Sequence, residues 1–260
     1  MGLDLDKMRE KLNKLQNKNP GSDVFWRPQD GEQTLRIVPT KDGDPFKDFW
    51  FHYNVGNNPG FLSPKKNFGQ QDPLDNFVRK LFNDGDEESI KMAKSLSARQ
   101  RFFSPVLVRG EEEKGVRIWG YGKQVYEKLL NLVLNPEYGD ITDPETGTDL
   151  VINYGKPAGA QFPQTGVTPR RKSSVLCDDA VGGSERCAEL LDNIPEFESL
   201  FNKKSPEEVG QLLDEFLLSQ SDAESVSSET SKFGNDSGAS STTTSSKSTV
   251  DDAFGDLMKA

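Results

Sequence analysis

Between Arg99 and Tyr126 the aromatics Phe102, Phe103, Trp119, Tyr121 and Tyr126 are interleaved with Arg99, Arg101, Arg109, Arg117 and Lys123. A segment built only to fill a core has no use for so many cations beside its rings. Aromatic faces stack nucleobases and cations hold phosphates, so the mixture suits a single-stranded nucleic acid, each stacked base contributing about 1–3 kcal/mol whatever its identity. Phosphate contacts add affinity that falls with salt, by about 0.7 of log–log slope per phosphate neutralised on a single strand. Phe102 and Phe103 are neighbours, so on a strand they face opposite ways and one is expected in the core. Trp119 and Tyr121 are two apart and share a face, with Gly120 and Gly122 leaving room for a ligand backbone. This pair, with Arg99, Arg101, Phe102, Phe103 and Lys123, is the expected nucleic-acid-binding set.

Other chemistry finds little footing. The single histidine is His52, and the chain has no nucleophile elbow, no GxxxxGK[ST] phosphate loop and no GxGxxG after a strand. The acid pairs Asp178-Asp179 and Asp251-Asp252 fall in stretches expected to be flexible, which is a poor basis for divalent-cation catalysis. The expectation is a binding protein with no catalytic residues, no metal and no cofactor. Two cysteines, Cys177 and Cys187, are too few for a disulfide framework and fit a reducing cytoplasm. No apolar run approaches 18 residues, which excludes a membrane-spanning helix, and MGLDLDKMREKL lacks the apolar stretch of a secretory signal.

A net charge of −10 conflicts with nucleic-acid binding only until it is divided along the chain. Residues 178–218 carry a net −8 and residues 219–260 a net −4, which leaves residues 1–177 at +2. Residues 153–172 contain Lys156, Arg170, Arg171 and Lys172 and no acid. A phosphate backbone responds to this local potential rather than to the total.

The elements that must position these groups follow from periodicity. Residues 3–18 read as an amphipathic helix, with Leu5, Met8, Leu12 and Leu15 on one stripe and Lys7, Arg9, Lys11, Lys14 and Lys18 around it, ended by Asn19-Pro20-Gly21. Strands are expected at 24–28, 33–39 and 46–55, an irregular excursion at 56–76, helices at 76–82 and 89–100, a strand pair at 102–109 and 115–121, and a helix at 123–134 stopped by Pro136. A strand at 149–156 precedes a basic Gly/Pro loop, and two acidic helices close the ordered part at 185–194 and 206–219. The fold class is mainly β with added helices (α+β), with a small OB-fold-like barrel core, helical decorations and a disordered carboxyl-terminal tail. The domains are a basic arm at 1–20, a core at 21–218 with an irregular subdomain at about 56–100, and a tail at 219–260. The tail holds 17 Ser or Thr in 42 residues and cannot repay ordering entropy by burial. It ends in Asp251, Asp252, Phe254, Asp256 and Leu257, an acidic amphipathic peptide built like a docking motif.

Over RFFSPVLVRG…GVRIWGYGKQVYEKLLNLV (101–133), and more weakly from residue 24 to 218, the sequence resembles the single-stranded-DNA-binding proteins of T-even-type bacteriophages. The order of basic arm, barrel core and acidic Ser-rich tail is also theirs. The resemblance implies cooperative, sequence-tolerant coating of single strands during phage replication, recombination and repair in the host bacterial cytoplasm. It implies an arm (Lys7, Arg9, Lys11, Lys14) that contacts the next protomer along DNA. It implies a tail that competes for the cleft and recruits replication and recombination proteins: a polymerase, a helicase loader and a recombinase mediator. The family's best-known members hold a structural zinc through one His and three Cys. Here His52 is followed by Ser63, Asp72 and Asp75 where the pattern places cysteines, a poor zinc set. The expectation is therefore no zinc, an ordinary polar role for His52, and packing by Phe61, Phe68, Leu74 and Phe77 in place of the metal.

Two rival readings stay open on residues alone. An acidic adaptor could use the core merely to display its tail peptide, and a single-stranded RNA binder would stack bases in the same way, since the contacts that read the 2′-hydroxyl leave no mark in sequence. A nuclease or primase is a third, separated by strand cleavage.

Overall fold

The computed structural model describes residues 24–56, 58–178 and 183–229, apart from the side chains of 184 and 221–229. The arm residues Lys7, Arg9, Lys11 and Lys14 and the tail residues Asp251, Asp252, Phe254, Asp256 and Leu257 lie outside the described residues. Eight strands are described: β1 (Phe25–Trp26), β2 (Gly31–Ile37), β3 (Lys47–His52), β4 (Phe61–Leu62), β5 (Arg99–Val108), β6 (Arg117–Tyr121), β7 (Thr148–Gly155) and β8 (Gln164–Ser173). Six α-helices accompany them: α1 (Pro64–Phe68), α2 (Pro73–Asp84), α3 (Glu87–Leu96), α4 (Lys123–Val133), α5 (Gly183–Asp192) and α6 (Pro206–Glu229). The described residues form two compact units, the first within Met1–Asp48 and Arg101–Leu200, the second within Phe49–Gln100 and Phe201–Ala260.

In the first unit the strands run in the order β1-β6-β5-β2-β7-β8. The β1–β6 pair is parallel and the other pairs along this path are antiparallel. The path ends at β1 and β8, so among the described residues the expected α+β fold has an open mixed sheet, not a closed barrel. Alternation explains the register. Leu35 stands opposite Val108 on one side and Leu150 on the other, and Ile37 opposite Val106. These residues are buried together with Trp26, Phe102, Trp119, Tyr121 and, from α4, Val125 and Leu129. The acidic segment 178–218 is divided between the units: α5 joins this one through Leu190, which packs with Val38, Leu107 and Leu176.

Strand β8 occupies most of what the sequence presents as a basic Gly/Pro loop. Its pairing with β7, Ile152 opposite Val167 and Tyr154 opposite Thr165, creates it. Pro169 is tolerated because β8 ends the strand path and an edge strand can forgo one donor.

The second unit is built on good helix boundaries. Asp72 caps α2 by accepting from the Asp75 amide at 3.2 Å, with Pro73 at the first helical position. Asp86 caps α3 through the Ser89 amide at 2.8 Å. Ser205 and Glu208 form a reciprocal capping box at the start of α6, at 3.2 and 2.7 Å. Between these helices Phe61, Leu74, Phe77, Leu81, Leu96, Val209 and Leu213 form a second core.

The other face of the first unit's sheet buries charge. Arg36 on β2 is fully enclosed, donating from Nε to Asp149 Oδ1 at 2.9 Å, from Nη1 to the Asp143 carbonyl at 3.1 Å, and from Nη2 to the Ser174 carbonyl and hydroxyl at 2.6 and 2.7 Å. Arg109, just past β5, grips the same carboxylate with Nε at 3.1 Å and Nη2 at 2.9 Å, and donates to the Leu176 and Val175 carbonyls at 2.7 and 2.9 Å. Burial raises the Asp149 pKa, but the Arg109 hydrogen bonds and the charges of Arg109 and Arg36 outweigh it, and the carboxyl titrates below the ordinary aspartate range. Burial in turn pulls the Arg36 guanidinium down, against the attraction of Asp149. Room for Arg36 requires a glycine at 147, where a Cβ would lie 2.6 Å from Nη1 and 2.5 Å from the Asp143 carbonyl oxygen.

Asp149→Asn removes the one carboxylate that balances two guanidiniums. It should cost about 3–5 kcal/mol at neutral pH, as breaking a buried pair does. Because the folded pKa is depressed, the carboxylate stabilises the fold above its unfolded pKa of about 3.9, and that contribution is lost as pH falls through the folded value. Urea denaturation of wild type and Asp149→Asn over a pH series should show the gap closing below about pH 4; a gap that persists in acid would refute the assignment.

Candidate nucleic-acid interface

The expected binding residues divide by type. The cations are on the surface: Arg99 and Arg101 at the start of β5 and Lys123 at the start of α4 are exposed. Arg101 lies beside Gly122, whose added Cβ would sit 3.8 Å from its Nη1, so Arg101 and Lys123 meet at the same end of the β5–β6 pair. Lys123 also approaches Glu127 on the next turn, at 3.6 Å.

The aromatics are inside. Trp119 is 1% exposed and Tyr121 4%. Trp119 meets Trp26 edge-on at 5.8 Å and Tyr121 at 4.6 Å between ring centroids. The Tyr121 hydroxyl is hydrogen-bonded to Ser104 Oγ at 2.7 Å, and burial pushes its pKa far up. Phe102 stacks on Tyr126 at 4.0 Å. Phe103 faces the other way, as neighbours on a strand must, yet it too is buried, within 2.9 Å of the position a Cβ on Gly120 would take. Gly120 thus makes room for Phe103, not for a ligand. Base stacking needs an open ring face, and in this packing Trp119 and Tyr121 have none; what they position is the strand pair that carries the cations.

Toward the opposite end of the β5–β6 pair lies a cleft of about 860 Å³ that the sequence did not single out. Phe25, Trp26 and Arg27 form one wall, residues 32–34 of β2 another, and Arg109, Lys114, Arg117 and Arg170 complete it, against two carboxylates, Glu32 and Glu111. Glu111 is occupied by Arg117 at 2.5 Å and Lys114 at 3.2 Å, and these bonds hold its carboxyl below the usual glutamate range. Arg109 is committed to Asp149. Arg170 donates to the Thr34 hydroxyl at 3.2 Å, and neither it nor the exposed Arg27 pairs with a described carboxylate. The Phe25-Trp26-Arg27 run sets aromatics directly beside a cation, as residues 101–103 do, and Arg170 lies in the acid-free stretch 153–172. On the loop between β7 and β8, Phe162 is 69% exposed, with Lys156 on the same connection.

The four positions where the resemblance places zinc ligands do not converge on a metal. His52, fully buried, has Nε2 3.0 Å from Asp72 Oδ2 and Nδ1 3.1 Å from the Leu96 carbonyl, while Ser63 Oγ donates to the same Asp72 oxygen at 2.7 Å. Burial raises the Asp72 pKa, but the His52 and Ser63 hydrogen bonds prevail and lower it. Asp75 instead faces Lys65 at 2.6 Å and Arg79 at 3.2 Å. His52 is therefore no ordinary strand residue but the centre of a buried network whose lone pairs and protons satisfy one another. These donors do not fit a structural zinc, and among the described residues no three His, Cys, Asp or Glu are grouped to hold an ion. The apolar packing expected around them is present for Phe61, Leu74 and Phe77; Phe68 is half-buried beneath the Lys203 ammonium, 4.1 Å from its ring centre.

The family model described as gp32 DNA binding protein like matches residues 29–217, well over half of the 260-residue chain. The chain belongs to this family. A comparison with curated proteins found no match. The gp32-like family is one of DNA-binding proteins rather than enzymes, and its match spans the β5–β6 pair, the cleft residues from β2 onward and both acidic helices up to residue 217. Among the described residues no helix is long and apolar enough to cross a membrane.

Burial and exposure predict opposite outcomes for two members of the sequence-derived set. Trp119→Ala should lower unfolding free energy by about 3–5 kcal/mol, as large core truncations do, whereas Arg101→Ala should change it by no more than about 0.5 kcal/mol. Equilibrium urea denaturation decides it, and equal effects would reverse the assignment of core and surface.

Proposed function

We propose that this gp32-like chain coats single-stranded DNA cooperatively and without sequence preference, protecting and organising it during phage replication, recombination and repair in the host cytoplasm. The observation that carries the reading is the cleft of the first unit, where Arg27 and Arg170 present charge that no described carboxylate neutralises. Lys114 adds a partly committed cation. Phosphates following this wall would release counterions, and Arg99, Arg101 and Lys123 offer further phosphate contacts on exposed positions. Phe162 supplies an open ring for a base, and stacking on it accepts any base. Trp119, Tyr121, Phe102 and Phe103 serve the site by holding the strands. In this reading Lys7, Arg9, Lys11 and Lys14 bind the next protomer. The peptide with Asp251, Asp252, Phe254, Asp256 and Leu257 competes for the cleft and recruits the polymerase, helicase loader and recombinase mediator.

Fluorescence titration with single-stranded DNA across salt tests this, because Trp26 lines the cleft and reports occupancy. The full chain should bind in a salt-sensitive manner, residues 1–218 more tightly, and a chain lacking residues 1–20 should lose affinity on long strands far more than on an oligomer one site long. Arg27→Ala and Arg170→Ala should each lower the salt slope by about 0.7. Phe162→Ala should weaken binding by about 1–3 kcal/mol at an unchanged slope. No binding by the full chain or by residues 1–218 would leave the acidic-adaptor reading, and a clear preference for RNA oligomers would replace DNA as the ligand.

A further inference from the structure

Cys177 and Cys187 are the only cysteines of the chain and stand ten positions apart in sequence. In the first unit they are brought side by side. Both are free thiols, both are half-exposed, and both pack against the small cluster of Val38, Leu107, Leu176 and Leu190. Cys187 is close enough to the Cys177 thiol to raise its pKa. Between them the Gly183 amide donates to the Asp178 carbonyl at 2.9 Å. A disulfide demands that two Cα atoms be held within about 7 Å with converging side chains, and neighbouring thiols packed on one small apolar cluster are placed to form it.

We infer that Cys177 and Cys187 are a redox modification site, forming a reversible intramolecular disulfide that ties residues 174–177 to helix α5. The oxidant is a small-molecule disulfide of the glutathione class. Burial, then the neighbouring Cys187, push the Cys177 thiol up to about 12, which holds it protonated at neutral pH. Cys187 Sγ displaces one glutathione from the glutathione disulfide and forms a mixed disulfide. Cys177 then loses its proton to solvent and attacks the Cys187 sulfur, releasing the second glutathione. Two protein S–H bonds and the glutathione S–S bond are lost, one protein S–S bond forms, and two electrons and two protons end on two molecules of reduced glutathione.

The location gives the modification a consequence. Residues 174–176 supply the Ser174, Val175 and Leu176 carbonyls that hold the guanidiniums of Arg36 and Arg109, and Arg109 lines the cleft. A covalent tie one residue further on fixes the strand of acceptors against α5 and thereby the two arginines. The inference does not depend on what occupies the cleft.

The test uses the full chain and needs no variant. The protein is equilibrated in mixtures of oxidised and reduced glutathione, then alkylated and weighed intact under denaturing conditions. The expected product is a monomer lighter by two hydrogens with neither cysteine alkylated, reopened by excess reduced glutathione. It should form faster as pH is raised from 7 to 9, because Cys177 must give up its proton. Amide hydrogen exchange over residues 174–177 should slow in the oxidised form. A glutathione adduct that persists on one cysteine, a disulfide-linked dimer, a pH-independent rate of closure, or unchanged exchange would overturn the inference.

Discussion

One carboxylate shared by two guanidiniums sets the register of the first unit. Arg36 comes from β2, Arg109 from the residue after β5, and Asp149 from β7, so the ion cluster ties the three adjacent central strands from the face opposite the aromatic core. Buried ion pairs contribute little net stability against well-packed apolar replacements, because desolvation consumes most of the attraction; their best-attested role is to specify one arrangement over its neighbours. That role fits here. A one-residue slip of β2 would turn Arg36 into the layer of Leu35 and Ile37, where no carbonyl or carboxylate waits for it. The excess positive charge is met by neutral carbonyls from Asp143, Ser174, Val175 and Leu176, which is why the chain after β8 must fold back over the sheet.

This cluster also explains how a chain of net −10 keeps a cationic cleft. Arg109 contributes field to the cleft while its geometry is fixed from behind, and Arg117 is fixed by Glu111. Preorganised cations of this kind lose little side-chain entropy when a phosphate arrives, in contrast to free lysines. The acidic residues that dominate the total charge are carried by α5, α6 and the sequence beyond them rather than by the strands that line the cleft.

Much of the architecture was legible because it depends on local rules. Helices α4 and α6 announce themselves by the Val125/Leu129 stripe and Ser205-Pro206, and α2 and α3 by the expected helices at 76–82 and 89–100, although their capped starts at Asp72-Pro73 and Asp86 lie outside those bounds. The parts that were not legible depend on partners distant in sequence. Residues 164–173 carry the composition of a loop and become β8 only through β7. Trp119 and Tyr121 alternate as an exposed face would, but a sheet covered on both faces alternates in the same way, and nothing within residues 115–122 tells which layer will cover them. His52 alone, without its cysteines, reads as a residue released from duty; only the approach of Asp72 and Ser63 gives it one. The cleft escaped notice for the same reason, since Arg27, Lys114 and Arg170 are scattered over 144 positions and share no motif.

Strand β8 leaves one rim of the sheet with its backbone groups unpaired by any other described strand. Such a rim is a template for adding strands from other molecules, and copies of the chain would risk polymerising through it. Pro169 removes a donor there, and Arg170, Arg171 and Lys172 place three like charges in a row, so that a second copy of the same strand is repelled. The rim therefore acts as a gatekeeper: it disfavours sheet-to-sheet growth between copies while remaining attractive to polyanions.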